Sequence, residues 1–561
     1  MRRYPIWKLR HTGPYDSLAD VVLANRSLKS EDVADDPDLL QDPFVMRDMD
    51  RAVDRISAAV RKGEQIVVFG DYDVDGVTST AVILDFLDQV EARSGAVLPD
   101  RFRDGYGMKP QGVQQALDAG ASLIVTADNG VSSFEAIDLA REAGVDVVVI
   151  DHHQAQDRLP NAVAVVNPNR PDCDYAFKGL AAVGVAFKVV QALSESLMEG
   201  DSRRSYLNSL LDLVALGTVA DMAPMLGENR LLTRRGLQVL EGSRRPGVEA
   251  LKSVAGMSGR RVDTTAIGFF LGPRINSAGR LASADLALNL LRSQSRDEAE
   301  RLADRLNQLN VRRQEMQKTG VAEAEAQVEE LGLQDHRILV VRGDAWHLGV
   351  VGLIAGRLME TYSRPAAACT AVRKDGTFTG SARTAGGYNI VEAIFRCADL
   401  LTEYGGHADA AGFTGPVAQF DAFRERLEAD ADRALTDEDI TPWLELDVVL
   451  QPSDVSLDMV SRLSAISPFG SGNETPRFMV SDCRIERSYA VGSGAHLKLS
   501  LDTGAGICDA IWWRHGELIY ELSPGDRVDV AGALEENTWN GRTQVQLVLD
   551  DMRPAELDHG P

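Results

Sequence analysis

Acidic side chains follow several apolar runs of this sequence, at the points where buried strands would end. The stretch GDYDVDG follows the run IVVF, and the same arrangement recurs after SLIVTA, after VDVVVI and after LLDLVALGTVA. The side chains concerned are Asp71, Asp73, Asp75, Asp128, His152, His153 and Asp221. Carboxylates with an imidazole suit Mn²⁺ or Mg²⁺, and two such ions roughly 3.5–4 Å apart can activate water against a phosphoester. The spacing therefore predicts a metal-dependent hydrolytic centre.

These side chains can meet only if the segments before them run parallel. In an open α/β sheet, ligands bind outside the carboxyl ends of the strands. Many carboxylates in one crevice would raise each other's pKa values, and divalent cations would relieve that repulsion. A single aspartate after a strand is usually a helix cap or a turn residue. We treat all four segments, including the one that ends in Asp221, as strands whose acidic ends share one edge.

The elements that must position these residues alternate in the order of an α/β protein. Nearly continuous β-branched runs predict strands, and helical periodicity predicts helices between them. The predicted strands are 66–69, 123–126, 145–150 and 163–166, with helices at 112–119 and 133–143. This pattern is typical of a doubly wound parallel sheet.

The 561 residues exceed what one hydrophobic core can hold. Changes in the pattern of apolar, polar and glycine residues divide the chain into five segments. They are a lead-in over 1–60, a catalytic α/β domain over 61–284, a long connecting helix over 285–335, a second α/β domain over 336–435 and a C-terminal OB-like β-barrel over 442–556. The last segment alternates short strands with turns, as small barrels do.

Composition excludes few functions. The net charge of −25 argues only weakly against a nucleic-acid partner, because a few arginines lining one groove can bind phosphates. No apolar run reaches the roughly 20 residues that cross a bilayer. Five scattered cysteines contain no CxxC pair, which argues against a zinc ribbon or a disulfide scaffold. We therefore expect a cytoplasmic, monomeric protein without membrane contact.

The motifs GDYDVDG, TADNGV, DHH and GTVADMAP, in this order, resemble those of the DHH phosphoesterase family. DAWHLGVVGLIAGRL, GSAR and GGHADAAGF resemble its accessory DHHA1 domain. With GPRINSAGRL and the barrel, the resemblance extends from about residue 60 to residue 555 and is to the branch that degrades single-stranded DNA. It implies a 5′→3′ exonuclease of recombination and repair that releases 5′-mononucleotides, uses Mn²⁺ or Mg²⁺, and works with a single-strand-binding protein and a RecQ-type helicase.

The resemblance also implies roles for the acidic and histidine residues. Those expected to bind metal are Asp71, Asp73, Asp75, Asp128, His152 and Asp221, and His153 is expected to contact the scissile phosphate or to orient a ligand. Many DHH phosphoesterases have a histidine ligand where this chain has Phe69. We expect Asp71 to take over part of that role.

The substrate-binding residues that the resemblance implies lie outside the acidic motifs. They are Arg101, Arg274, Arg280, His347, Ser381, Arg383 and His407. The planar fork of arginine can pair two phosphate oxygens, and Arg101 lies in a stretch resembling the one that binds a 5′-terminal phosphate. The alternatives are a solvated loop arginine, a helix-capping turn in GPRINSAGRL and packed histidines. In the barrel, the candidates for base stacking are Trp512, Trp513, Arg514 and Trp539.

Three other interpretations stay open at this point. A phosphodiesterase of small RNAs or dinucleotides would share the acidic motifs, but short substrates need neither the barrel nor GPRINSAGRL. A non-catalytic binding subunit with a decayed centre would have lost several of these carboxylates. A structural α/β protein with incidental acids would not carry the four motifs in order.

Overall fold

The structure is a computed structural model. It describes residues 4–36, 39–105, 107–200, 202–371, 376–384, 386–539 and 541–555, except for the side chain of Trp539. The strands of this part of the chain are β1 Ile6–Leu9, β2 Ile66–Phe69, β3 Ser94–Val97, β4 Leu123–Thr126, β5 Asp146–Ile150, β6 Ala164–Val166, β7 Leu339–Gly343, β8 Ala366–Thr370, β9 Thr377–Arg383, β10 Glu403–His407, β11 Ala410–Pro416, β12 Trp443–Leu446, β13 Val448–Val449, β14 Phe478–Val491, β15 His496–Asp502, β16 Ile507–Trp512, β17 Arg527–Trp539 and β18 Arg542–Pro554.

The α-helices fill most of the intervals between these strands. They are α1 Leu18–Asn25, α2 Met49–Lys62, α3 Val74–Gln89, α4 Pro110–Asp118, α5 Phe134–Glu142, α6 Ala182–Leu197, α7 Ser202–Ser209, α8 Leu211–Ala220, α9 Gly227–Glu241, α10 Pro246–Val254, α11 Thr264–Ala266, α12 Gly272–Leu281, α13 Asp285–Arg292, α14 Arg296–Glu330, α15 Leu348–Tyr362, α16 Ile390–Phe395, α17 Phe420–Ala434 and α18 Leu457–Ala465. A π-helical turn, Ile267–Leu271, joins α11 to α12. No helix in the described part of the chain has the length and apolarity needed to span a bilayer.

The chain divides into two units. The larger comprises Gln41–Asp221 and Arg235–Thr441, and the smaller comprises Met1–Leu40, Met222–Arg234 and Pro442–Pro561. The larger unit holds both α/β sheets, and the smaller holds the barrel.

A parallel five-stranded sheet of order β3-β2-β4-β5-β6 organises the first part of the larger unit. All residues of β2 and β4 are buried, which explains their continuous apolar sequence. The predicted parallel α/β fold is confirmed. Strand β3 was not predicted, because its sequence SGAV carries no apolar run and it lies half-exposed at the sheet edge.

One predicted strand is wrong. The segment that ends in Asp221 forms helix α8, with nearly all its side chains buried. A short apolar segment that is buried on every side lacks the polar face that distinguishes an amphipathic helix, so its periodicity cannot separate helix from strand. Asp221 therefore reaches the site from a helix end.

The second sheet of the larger unit has the order β10-β11-β9-β8-β7 and mixes parallel and antiparallel pairs. Helix α14, 35 residues long, leads into it and packs against α12 and α15. The predicted connecting segment thus contains a short helix, α13, followed by this long one.

The smaller unit is a six-stranded barrel of order β13-β14-β15-β16-β18-β17, in which β14 also pairs with β17. Its core includes Leu18 and Val22 of α1, so the beginning of the predicted lead-in packs with the barrel. Trp512, the last residue of β16, is buried in this core, whereas its neighbour Trp513 lies in the turn after the strand and is 53% exposed. The side chain of the third tryptophan considered for stacking, Trp539, lies outside the described residues.

Candidate metal centre

Asp75 is held by the beginning of helix α6. It lies in the first turn of α3, and its two carboxylate oxygens accept hydrogen bonds from the backbone N–H groups of Ala182 and Val183 at 2.8 and 2.9 Å. The partial positive charge of a helix N-terminus suits a carboxylate. Asp75 is almost completely buried, so its orientation is fixed by the fold.

Asp71 and Asp73 are brought together by the tight turn between β2 and α3. Asp73 caps α3 by accepting a hydrogen bond from the backbone N–H of Gly76 at 3.0 Å. A Cβ at Gly76 would lie 2.6 Å from the Cβ of Asp71, so only glycine allows this approach. Phe69, the last residue of β2, is buried in the core of the sheet.

Asp128 follows β4 in a left-handed backbone conformation, with φ of 67°. Such a conformation in a residue other than glycine is uncommon, and aspartate tolerates it better than most. The side-chain amide of the next residue, Asn129, donates to the carbonyl groups of Phe69 and Gly70 at 3.2 and 3.1 Å. Asn129 thereby holds the ends of β2 and β4 side by side, which brings their acidic residues together.

The two histidines are oriented by groups behind them. The Nδ1 atom of His152 lies 3.1 Å from the carbonyl oxygen of Leu180. Because a carbonyl oxygen can only accept a hydrogen bond, Nδ1 carries the proton, and Nε2 keeps a lone pair that can bind a cation. His152 Nε2 lies 3.3 Å from Asp128 Oδ1 and 4.0 Å from Asp75 Oδ2. The Nδ1 atom of His153 lies 2.7 Å from Asp151 Oδ1.

Asp151 is the acidic residue that sequence reasoning did not select. Its carboxylate accepts hydrogen bonds from the backbone N–H groups of His152, His153 and Val131, at 2.7, 3.1 and 2.9 Å, besides the bond to the His153 ring. Burial alone would raise the pKa of Asp151, but these bonds and the charge of His153 hold it below its ordinary value. Its place directly before the two histidines was the available signal.

The predicted ligands converge in overlapping groups. Within each group, one candidate ligand atom per residue lies within 4.8 Å of the others: Asp71, Asp73 and Asp128; Asp75, His152 and Asp221; and Asp128, His152 and His153. Side chains from the ends of three strands and one helix therefore lie together in a single site. Whether Asp71 takes over part of the role of a histidine at position 69 stays a prediction.

The electrostatics of these groups suit bound cations. Burial raises the pKa values of four carboxyl groups, and neighbouring carboxylates raise them further; the four are Asp71, Asp75, Asp128 and Asp221. The pKa of Asp221 reaches about 8. The Oδ1 atom of Asp71 is buried without a hydrogen-bond partner among the described residues. Oxygen-rich groups with an imidazole fit Mn²⁺ or Mg²⁺.

Arginines adjoin this centre. A Cβ at Gly279 would lie 2.5 Å from the carbonyl oxygen of Tyr72, so α12 lies directly against the GDYDVDG turn. The next residue, Arg280, has its pKa lowered to about 9 by burial and by the charges of Arg101, Arg313 and Arg383, while Asp73 opposes the shift. We call Arg101, Arg280, Arg313 and Arg383 the arginine cluster.

The arginine cluster draws on both α/β domains of the larger unit. Arg280 Nη1 donates to the carbonyl of Gly349 at 3.1 Å. Arg383 Nη1 donates to Ser381 Oγ at 2.6 Å, which orients its guanidinium. The guanidinium of Arg101 lies 4.9 Å from the centre of the Tyr72 ring. Sequence reasoning missed Tyr72 and Arg313; for Arg313, the periodicity of a long charged helix carried no separate signal.

The remaining predicted substrate residues have different surroundings. Arg274 donates to the side chain of Asn307 and to the carbonyls of Phe270 and Val254, so its guanidinium supports the fold around α12. His347 caps α15 by accepting from the N–H of Gly349, and its ring meets Phe102 edge-on at 5.6 Å. His407 lies exposed on β10, two strands from Arg383.

A first prediction concerns Asp151→Asn. Asparagine has one acceptor oxygen and no charge, so it loses the bond from Val131 N–H to Oδ2 and weakens the bond between Oδ1 and the His153 ring. We therefore expect kcat to fall about 10- to 100-fold, the usual effect of losing a group that orients a metal ligand. KM for a phosphoester substrate should change little, since Asp151 lies behind the histidines. Steady-state kinetics would check this, with Asp138→Asn on α5 as the matched control. An unchanged kcat would contradict the positioning role of Asp151.

The parallel sheet, the grouped carboxylates and the adjoining guanidinium groups define a divalent-metal phosphoesterase of the DHH class. Comparison with known proteins agrees. The family model of the DHH N-terminal domain matches residues 65–218, that of the DHHA1 domain matches 335–431, and that of the RecJ OB domain matches 446–551.

Two curated relatives and one solved protein specify the family further. The single-stranded-DNA-specific exonuclease RecJ of Salmonella typhimurium is 35% identical over 532 residues, covering 90% of each chain. That of Bacillus subtilis is 38% identical over 516 residues; this covers 92% of the present chain and 64% of the relative, so the present chain spans about two thirds of its length. RecJ of Thermus thermophilus was solved with Mn²⁺ and with Mg²⁺; these structures are 29% and 28% identical, with TM-scores of 0.82 and 0.75, and the match covers 98% of this chain and 80% and 79% of theirs. The present chain belongs to the RecJ family.

Proposed function

We propose that this protein is an exonuclease specific for single-stranded DNA, which hydrolyses the strand from its 5′ end and releases 5′-mononucleotides. The observation that carries the proposal is that the acidic and histidine residues lie beside the arginine cluster. The acidic and histidine residues suit divalent cations, and the arginine cluster beside them suits phosphates. The names of the curated relatives support the substrate.

We assign two cation positions to the groups of side chains. Asp71, Asp73 and Asp128 would hold one ion, and Asp75, His152 and Asp221 would hold the other. When bound, such ions act as Lewis acids that activate water and stabilise the charge that develops on a phosphoester. The protein contributes rigid ligands: Asp75 is fixed by α6, His152 by the Leu180 carbonyl and Asp128 by its backbone conformation.

The arginine cluster would hold the terminal phosphate of the strand. Arg101, Arg280 and Arg383 lie close enough for their charges to interact, and Arg280 also interacts with Asp73. A phosphate bound there lies beside the acidic groups, so the next phosphoester bond can reach them. This arrangement favours cleavage at an end over cleavage inside a strand. The 5′ polarity rests on the resemblance of the Arg101 stretch to a 5′-phosphate site.

His153 would act on the reacting phosphate. Its ring is held by Asp151 through Nδ1, which fixes the direction of the imidazole. A histidine in this position can donate a hydrogen bond to a phosphate oxygen or a proton to the leaving 3′ oxygen. The reaction needs no covalent intermediate with the protein.

A digestion experiment tests the proposal. Oligonucleotides of about 20 residues, labelled at either end and single- or double-stranded, would be incubated with Mn²⁺ or with EDTA. We expect a 5′ label to appear at once as a mononucleotide, only from single strands and only with metal. Early release of a 3′ label would contradict the polarity. A dinucleotide cleaved as fast as the 20-mer would favour a small-substrate phosphodiesterase instead.

A second prediction concerns stabilisation by metal. The raised pKa of Asp221, about 8, means that the metal-free folded state retains protons which the unfolded chain loses near pH 4. The stability of the metal-free protein should therefore fall as pH rises from about 4 to 8. Because cations replace these protons, Mn²⁺ should raise Tm more at pH 8 than at pH 6; a 100-fold excess over Kd adds about 2.7 kcal/mol. Thermal unfolding with and without Mn²⁺ would show this, and an equal rise at both pH values would contradict it.

Protein partners are a further part of the proposal. The family resemblance supports work beside a single-strand-binding protein and a RecQ-type helicase, and a monomeric state. Co-purification with each partner, together with light scattering of the isolated chain, would test these points. The residues described above contain no separate signal for them.

A further inference from the structure

Two exposed phenylalanines lie next to the metal centre. Phe269 is 75% exposed and Phe270 is 44% exposed, although large apolar side chains usually lie inside. Both belong to the π-helical turn Ile267–Leu271, whose first and last residues are buried. π-Helical turns inside helices occur frequently at functional sites. The turn is thus anchored to the core by its ends and presents two adjacent aromatic rings to solvent.

The position of this turn connects it with the proposed centre. A Cβ at Gly272, the residue after the turn, would lie 3.5 Å from the Cβ of Ala220, which directly precedes Asp221. In helix α12, which follows the turn, Arg274 Nη1 donates to the carbonyl of Phe270 at 2.6 Å. Burial lowers the pKa of Arg313, a member of the arginine cluster, and the charge of Arg274 lowers it further, so these two side chains lie near each other. The turn that carries the two rings therefore lies near the residue that precedes Asp221 and in contact with Arg274.

The charge around the turn points to the partner. Arg260 and Arg261, both exposed, precede the turn by a few residues in the sequence, whereas the guanidinium of Arg274, which follows it, already donates to Asn307 and to two backbone carbonyls. Exposed aromatic rings with exposed cationic side chains close by in the chain match a single nucleic-acid strand, whose bases stack on the rings while its phosphates meet the arginines. A base in a duplex is already paired and stacked, so it gains little from such rings.

We propose that Phe269 and Phe270 form a stacking platform for unpaired nucleobases of the substrate, close to the point of cleavage. This inference rests on the proposed function and extends it to a source of single-strand selectivity. The platform recognises unpaired bases in general, because every base offers a flat face.

The test combines a protein change with a substrate change. Binding of a fluorescent 20-residue oligothymidine and of an abasic strand of equal length would be measured in EDTA for the wild type and for the double variant Phe269→Ala/Phe270→Ala. We expect the double variant to bind oligothymidine about 10- to 100-fold more weakly. It should bind the abasic strand about as well as the wild type does. Phe269→Tyr/Phe270→Tyr should retain the affinity, and Phe44→Ala, a change at a phenylalanine that is 42% exposed, is the control.

The outcomes separate this inference from the proposed function. If the double variant weakens binding of both strands equally, or of neither, the stacking platform is wrong. The wild type is digested in parallel against single-stranded DNA with Mn²⁺. If the wild type cleaves but the double variant loses no selectivity for bases, only the inference fails. If the wild type cleaves no single-stranded DNA, the proposed function itself fails.

Discussion

The variant Asp128→Asn is expected to lose cleavage of single-stranded DNA by about 10³-fold or more while still binding it. Asp128 belongs to the first proposed cation position, and its Oδ1 atom lies 3.3 Å from Nε2 of His152 in the second, so its loss removes a ligand from one position and changes the surroundings of the other. A bound cation supplies several kcal/mol of transition-state stabilisation, and each 1.4 kcal/mol corresponds to about a factor of ten. Single-turnover cleavage with Mn²⁺ and binding in EDTA would measure the two effects.

The choice of asparagine keeps this test specific. Asparagine has the same shape as aspartate and tolerates the left-handed backbone found at residue 128. Removing one charge should also relieve repulsion by Asp75, Asp73 and Asp71, which together with burial raises the pKa of Asp128. The metal-free variant should therefore unfold at a higher temperature than the metal-free wild type. Near-normal cleavage by this variant would remove Asp128 from the centre.

The variant Arg280→Gln is expected to raise KM for single-stranded DNA by about 10- to 100-fold, with a smaller change in kcat. Hydrogen bonds to charged groups contribute about 1.5–3 kcal/mol each, and the charge of Arg280 interacts both with the other arginines of the cluster and with Asp73. Glutamine is shorter than arginine and loses the hydrogen bond from Nη1 to the carbonyl of Gly349, so thermal unfolding of the variant would be measured alongside. Steady-state kinetics on a 5′-phosphorylated strand would measure the change.

Two controls show whether the effect of Arg280→Gln comes from phosphate binding. The salt dependence of DNA binding should weaken by about 0.7 in its logarithmic slope for each phosphate that the variant no longer binds. Arg357→Gln, at a partly exposed position of α15, changes a charge that pairs with Glu360 and should leave KM unchanged. If Arg280→Gln and Arg357→Gln had equal effects, the arginine cluster would not be the phosphate site.

Much of the acidic centre could be predicted from local sequence. Strands β2, β4 and β5 are short, β-branched and buried on both faces, so their sequences identify them without knowledge of their neighbours. Parallel pairing then places their carboxyl ends at one edge. Every residue of the three groups belongs to one of the four acidic motifs.

Other features depended on contacts between distant segments. Helix α8 was predicted as a strand because complete burial removes the polar face that marks a helix. Arg313 could be assigned to the arginine cluster only from the packing of α14 against α12. Residues 18 and 22 pack in the core of a barrel whose strands lie more than 400 residues later in the sequence. The role of Asp151 follows from its hydrogen bonds to the two histidines.

The sequence by itself indicated the acidic and histidine side chains, the order of the elements and the parallel sheet, because these depend on residue type and local periodicity. The tertiary structure alone decided how those side chains are oriented and which charges adjoin them. Orientation arises from particular contacts, such as α6 with Asp75, Asn129 with the end of β2, and Gly279 with Tyr72. Such contacts join segments that are far apart along the chain, and no local pattern encodes their distances.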